Sequence, residues 1–335
     1  MKKKILKVIA WTVGIVVSLL LGIWIAFQVS PKPSAMIIAR LFNGEVKISD
    51  EKAYDLAKKN VSVTLNQTYQ SKFKDNTYDV YYPKQSTTPV PVLLWVHGGG
   101  YVGGDKEGAK EFATRLASDA NIAVVSMNYG VAPELQYPNQ VVQVADMMQT
   151  LKKKQDKHLD VSRMLIGGDS AGSQIALQFV NTQTNRTYGE KVGIPKILDD
   201  KSIKGTISYC GPVDLIQMAD KSVSDKKMKF FVKTVAWSLI GTKNWQSSDE
   251  LVQASLVNQV TANFPPTYIT DGNAFSFEAQ NIALADKLKT LKVPVTSLFY
   301  TNKKKQITHE YQFNYKTEEA KQCYEQTLNF VNQYK

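Results

Sequence analysis

From about residue 60 onward, short apolar runs alternate with longer stretches of helical spacing, the pattern of a mostly parallel sheet with helices on both faces. Tyr78–Tyr82 (YDVYY) alternates like an edge strand. Val90–Val96 is a nearly continuous apolar run, interrupted by Pro91 and ending at a glycine cluster. Further buried strands are expected at Ile122–Met127, Met164–Ile166, Thr206–Tyr209, Thr267–Thr270 and Val295–Tyr300. Helices are expected over 107–119, 141–151, from Ser173 onward, and over 317–334. No repeat or low-complexity stretch interrupts this order.

Two regions depart from it. Residues 34–60 are helix-like but precede the sheet. Residues 215–262 carry Phe230, Phe231, Trp237 and Trp245 with no clear strand, and are expected to form a helical cap over a pocket.

The N-terminus has a different pattern again. Val8–Val29 holds 22 residues without a charge, long enough at about 1.5 Å per residue to cross a ~30 Å hydrocarbon core. Trp11 and Trp24 lie near its two ends, where amphipathic rings suit the membrane interface. Lys2, Lys3, Lys4 and Lys7 precede it, which predicts a cytoplasmic N-terminus with the folded part outside. The alternative is a cleaved signal and a secreted protein. Such signals have apolar cores of roughly 7–15 residues and a small-x-small site; this run is longer and no A-x-A site follows. Pro31, Lys32 and Pro33 are expected to form a short stiff linker.

Composition narrows the picture further. With 335 residues, 43% apolar and 10% aromatic, the chain can bury a full core. Its net charge of +11 is scattered rather than gathered into a stripe with aromatics, which argues against a nucleic-acid partner. It suits an anionic wall or lipid headgroups instead. Cys210 and Cys323 are too few for a disulfide framework, and neither has a Cys or His neighbour at metal-ligand spacing.

Gly168-Asp169-Ser170-Ala171-Gly172 fits G-x-S-x-G, with an apolar strand before it and a small-residue helix after it. That context places Ser170 on a strained strand-to-helix turn, where a base and a carbonyl can both reach its hydroxyl. His97-Gly98-Gly99-Gly100 directly follows the Val90–Val96 strand. Its glycines can turn backbone N–H groups toward a developing oxyanion, and Gly99, Gly100 and Ala171 are the expected donors. Of the three histidines, His97 is expected to brace this loop and His158 to be solvated in a lysine-rich stretch. His309, after the last strand, is left as the base.

These segments resemble the α/β hydrolases of the hormone-sensitive-lipase-like and carboxylesterase group. The resemblance covers most of residues 75–333 through HGGGYVGGDK (97–106), NYGVAPELQYP (128–138), GDSAG (168–172), FPPTYIT (264–270) and HEYQF (309–313). Gly130 stands where that group usually has arginine. The group's acid lies about three residues beyond the glycine ending the seventh strand, and that position here is Phe275. Three carboxylates compete to replace it: Asp271, Glu278 and Asp214, in that order of preference.

The resemblance implies an α/β-hydrolase fold, to which the segments read above add a helical cap and an N-terminal transmembrane helix. The expected organisation is a basic tip and anchor over 1–30, a linker with N-terminal cap helices over 31–74, and the hydrolase domain over 75–335 with its cap at about 215–262. The expected activity is ester hydrolysis through an acyl-enzyme on small-molecule or glycan-linked esters with short acyl chains. It requires neither metal nor organic cofactor. An acyltransferase using the same intermediate, and a ligand-binding protein that has lost catalysis, are the rival readings.

Overall fold

The computed structural model describes residues 2–199, 201–220 and 226–335. The N-terminal part contains α1 (Lys2–Val29), α2 (Lys32–Phe42), α3 (Glu51–Asn60), β1 (Val61–Thr68), β2 (Thr77–Pro83) and β3 (Val90–Val96). The middle contains α4 (Lys110–Ala120), β4 (Ala123–Met127), α5 (Asn139–Lys154), β5 (Leu159–Asp169), α6 (Ser170–Thr184), α7 (Arg186–Val192) and β6 (Ile203–Tyr209). There follow α8 (Leu215–Asp220), α9 (Lys226–Ile240), α10 (Asp249–Ala254), β7 (Thr267–Thr270), α11 (Glu278–Thr290), β8 (Val295–Leu298) and α12 (Glu318–Tyr334).

The strands form one eight-stranded sheet in the order β1-β2-β4-β3-β5-β6-β7-β8. β1 and β2 pair antiparallel, β2 pairs antiparallel with β4, and the remaining neighbours are parallel. β3 lies in the interior with all seven residues buried, which explains its continuous apolar run. Its side chains still alternate between faces. Val92, Leu94 and Val96 pack into the core beneath α5 and α6, whereas Leu93 and Trp95 join Phe112 and Phe330 on the face covered by α4 and α12.

The sheet starts earlier than the expected boundary at residue 75. Val61–Thr68, assigned by sequence to the linker and cap helices, is an edge strand on β2. It was hard to read because most of its residues are at least partly exposed and its register shifts between Thr64 and Gln67. Pro33 lies in the first turn of α2, where its missing N–H costs nothing. The expected stiff linker is therefore a helix start. Of the expected cap, α8, α9 and α10 fall within 215–262, while 221–225 lie outside the described residues.

Lys3–Val29 is long and apolar enough to span a membrane, and none of it is buried against the protein. Lys243 of the cap donates from Nζ to the carbonyl of Gln28 at 3.1 Å, beside the end of this helix. α2 then crosses to the cap and packs on α9 through Phe42, whose ring centroid lies 6.4 Å from that of Phe231. Beyond it, Asn43 accepts the amide of Gly104 at 2.8 Å, which ties the helix to the loop after β3. The same loop is fixed from below by buried Lys106, whose ammonium lies 3.2 Å from buried Asp79 and 2.9 Å from Asn66 Oδ1.

Candidate active site

β5 ends at Asp169 and α6 begins at Ser170, so the serine occupies a turn with no linking residues. Its φ of 47° is left-handed, unfavourable for a side chain with a Cβ and a mark of stored strain. Gly168 and Gly172 permit the turn. A Cβ on Gly168 would lie 2.4 Å from the carbonyl oxygen of Val96, and one on Gly172 only 2.1 Å from it. The elbow is pressed against the end of β3, leaving Ser170 in the pocket wall.

His309 is carried by the loop between β8 and α12. This loop zips onto the segment after β7: the amides of Asn273 and Ala274 both donate to the carbonyl of Ile307, and that of His309 donates to Ala274. Asn273 extends the seam, accepting the Ile307 amide through Oδ1 and donating to the carbonyls of Tyr300, Lys303 and Lys305. His309 Nε2 thereby lies 2.9 Å from Ser170 Oγ, within direct proton-transfer reach. Phe277 meets the imidazole edge-on at 5.3 Å.

The three candidate acids separate clearly in space. Asp271 is fully buried, with Oδ1 3.9 Å from His309 Nδ1. Its Oδ1 accepts the amide of Gly272, and its Oδ2 those of Phe277 and the Asn281 side chain. Glu278 is engaged elsewhere, accepting the Tyr300 amide at 2.9 Å. Asp214 accepts from the amide of Gln217 in the first turn of α8, a capping role. Phe275, at the position the resemblance reserves for an acid, is 73% exposed at the pocket rim.

Burial raises Asp271 from 3.8 to about 7 and lowers His309 from 6.5 to about 4. Both shifts favour uncharged groups. At 3.9 Å the pair is not hydrogen-bonded, and His309 Nδ1 is buried without a partner among the described residues. The aspartate is thus the only one of the three candidates that faces this nitrogen, across a gap slightly too wide for a bond.

The loop after β3 curls beside the serine. Gly99 and Gly100 have positive φ values of 119° and 59°. Among the described residues their amides have no backbone acceptor. The Ala171 amide belongs to the first turn of α6, where helix geometry supplies no partner. Gly98 differs, since its amide donates to Asp169 at 2.8 Å. His97 is buried, stacks on Tyr129 at 4.5 Å, and keeps Nδ1 2.6 Å from the Gly98 carbonyl. Burial lowers its pKa, consistent with a neutral brace. His158, expected in solvent, is half-buried and stacked on Tyr82 at 5.2 Å; the flanking lysines concealed this contact.

Ser170 and His309 open onto a cavity of about 430 Å³, whose apolar wall includes Phe42, Tyr101, Phe231, Val235 and Trp245. That volume falls in the range of small-molecule sites. Cys210, Asp271 and His309 also place three donor atoms within 4.8 Å of one another. Burial pushes the Cys210 thiol well up, which disfavours the thiolate a metal would need. Its Sγ donates instead to Gln312 at 3.0 Å.

A mostly parallel sheet, a left-handed serine at a strand–helix elbow and a histidine at its hydroxyl together define an α/β hydrolase. The model of the alpha/beta hydrolase fold family matches residues 93–309, and the chain belongs to that family. It is 31% identical over 90 residues to an ethyl acetate hydrolase of Pseudomonas putida, covering 27% of this chain and 28% of that protein. It is 33% identical over 123 residues to the arylacetamide deacetylase of Oryctolagus cuniculus, covering 35% of this chain and 30% of that one. These matched stretches span under a third of the relatives' length. Among solved structures, esterase B of Lactobacillus rhamnosis shares the fold with a TM-score of 0.67 at 18% identity, covering 95% of this chain and 94% of that one. An esterase of Pyrobaculum calidifontis gives a TM-score of 0.63 at 19% identity, over 90% of each chain.

Proposed function

We propose that the protein hydrolyses carboxylic esters through an acyl-enzyme on Ser170. The observation carrying this reading is the 2.9 Å contact between His309 Nε2 and the hydroxyl of a left-handed elbow serine. His309 takes the hydroxyl proton as Ser170 Oγ bonds to the ester carbonyl carbon. The resulting oxyanion is held by the amides of Gly99, Gly100 and Ala171. Collapse of this intermediate breaks the bond to the alkoxy oxygen, which leaves as an alcohol with the proton from His309. Water then repeats the sequence: His309 takes its proton, the hydroxyl attacks the acyl carbon, and the acid departs as Ser170 is reprotonated.

Asp271 is the third member in this reading. Transition-state imidazolium draws its carboxylate toward Nδ1, and a shift of about 1 Å makes the hydrogen bond. Catalytic contacts often tighten only with substrate in place.

The apolar cavity favours a small-molecule or glycan-linked ester with a short acyl chain. The resemblance to an ethyl acetate hydrolase supports carboxylic esters as the substrate class. The unburied apolar helix α1, with lysines before it, supports anchoring in a membrane with the N-terminus cytoplasmic and the hydrolase domain outside. Turnover of p-nitrophenyl acetate and butyrate by the full chain in detergent tests the chemistry. Ser170→Ala should abolish turnover above the uncatalysed rate; equal turnover by that variant would overturn the reading.

A further inference from the structure

Two carboxyl groups beside the catalytic pair have no part in the mechanism above. Asp169 immediately precedes Ser170, and Glu310 immediately follows His309. Asp169 is buried, accepting Trp95 Nε1 at Oδ1 and the Gly98 amide at Oδ2, both at 2.8 Å. The carboxyl of Glu310 lies within hydrogen-bonding reach of that of Asp169. Both crowd the glycine loop: a Cβ placed on Gly98 would lie 2.4 Å from Asp169 Oδ2 and 2.9 Å from Glu310 Oε1. Glu310 is also held backbone-first, with a left-handed φ of 59° and its amide 3.3 Å from Cys210 Sγ.

A hydrogen bond between two carboxyls requires a proton on one of them. Asp169 already receives an N–H at each oxygen, whereas among the described residues no N–H reaches the carboxyl of Glu310, so Asp169 is the better stabilised anion of the two. The proton therefore belongs to Glu310, which donates. The groups facing the pair offer no compensating cation: Tyr129, Cys210 and Asp271 are its titratable neighbours besides His309. Among the described residues neither carboxyl has a Lys or Arg partner.

We propose that Asp169 and Glu310 share one proton as a strap joining the nucleophile elbow, the oxyanion loop and the histidine loop, so that Glu310 positions His309 against Ser170. Burial is the main force raising both acids, and the neighbouring Asp169 raises Glu310 further. Two charges at this contact repel, so loss of the shared proton opens the strap. Activity then falls on the alkaline side. Glu310 is a positioning residue, since it acts through the loop that carries His309.

This inference rests on the proposed hydrolysis, and the test separates the two. The full chain in detergent is assayed with p-nitrophenyl acetate from about pH 6 to about pH 10, with Ser170→Ala subtracted, beside Glu310→Ala and Glu310→Gln. An amide can donate to Asp169 but cannot ionise. Glu310→Ala should lower kcat by roughly tenfold to a hundredfold with little change in KM, the effect of a slightly misplaced base. Glu310→Gln should recover most of that loss and remove the alkaline decline. Infrared difference spectra of the parent near neutral pH should show a protonated-carboxyl band that Glu310→Gln removes. An alkaline decline and band unchanged in Glu310→Gln, or full activity in Glu310→Ala, would overturn the proposal. If the parent shows no serine-dependent turnover, the hydrolase reading fails and the infrared band alone decides whether the pair holds a proton.

Discussion

At Asp271, three N–H donors converge on a buried carboxyl group whose Oδ1 also faces His309 Nδ1 at 3.9 Å. Asp271→Asn puts an amide group where two of those donors point, and it cannot stabilise imidazolium. We expect kcat to fall by about 10²–10⁴-fold while fluorophosphonate labelling of Ser170 slows rather than disappears.

The two shifted acids of the dyad also make an unusual pH prediction. Asp271, raised to about 7, keeps a proton in the folded state that the unfolded chain releases from about pH 4, so by itself it makes stability fall as pH rises to about 7. His309, lowered to about 4, lacks a proton that the unfolded chain holds up to about pH 6.5, so by itself it makes stability rise with pH over that range. From about pH 4 to about pH 6.5 the folded and unfolded dyads carry the same number of protons, and their slopes cancel. Urea midpoints of the parent should therefore show little contribution from the dyad there. Asp271→Asn should uncover the rising slope, and His309→Gln the falling one.

Lys106 provides a separate check at this scale. Its buried contact with Asp79 predicts that Lys106→Met, which leaves a buried carboxylate uncompensated, costs about 3–5 kcal/mol in urea denaturation.

Much of this site was legible residue by residue. Ser170 and His309 announced themselves because a nucleophile elbow needs small residues at fixed offsets and a base after the last strand. The acid did not, because Asp271 stands at a strand end outside the resembled spacing; only three-dimensional neighbours set it apart from Glu278 and Asp214. Glu310 and Asn281 were invisible for the same reason. Each is an ordinary polar residue until the fold brings it against Asp169 or Asp271.

Secondary-structure elements show a similar division. β3 and β4 read plainly, because strands covered on both faces are almost continuously apolar, whereas β5, β6 and β7 were marked only by shorter segments within or along them. β1 has solvent on most positions, and its alternation carries little hydrophobic signal. α2 is the element whose role sequence least disclosed. Helical spacing marked it, but not that Phe42 reaches the cavity and faces Phe231 above Gly100. Phe42→Ala should raise KM for p-nitrophenyl butyrate about threefold to thirtyfold, the loss of a partly buried apolar contact, with kcat changed less. Removing residues 1–30 should leave the acyl pocket intact. Removing 1–43 should reproduce the Phe42→Ala defect and lower stability as well. Equal behaviour of the two truncations would show that α2 is dispensable to the pocket.

For the molecule as a whole, the family fold followed from the alternation of elements and the order of motifs. How the cap is assembled did not, since it depends on α2 arriving from before the sheet to meet α9. Anchoring is a whole-chain property too. The full chain should remain with membranes through high salt and alkaline carbonate, and enter solution only with detergent. Release by salt alone would point to headgroup attraction through the lysines instead of a span.

The brevity of the junction between α1 and α2 has a consequence for where such an enzyme works. Only Ser30 and Pro31 separate the two helices, so an anchored domain has almost no free tether. Its catalytic centre would sweep a layer no thicker than the domain itself, about 50 Å for a chain of this size. Esters fixed to the same surface would then meet it by lateral diffusion, and turnover would scale with their number per unit area. A dilute ester in free solution would gain nothing from that confinement.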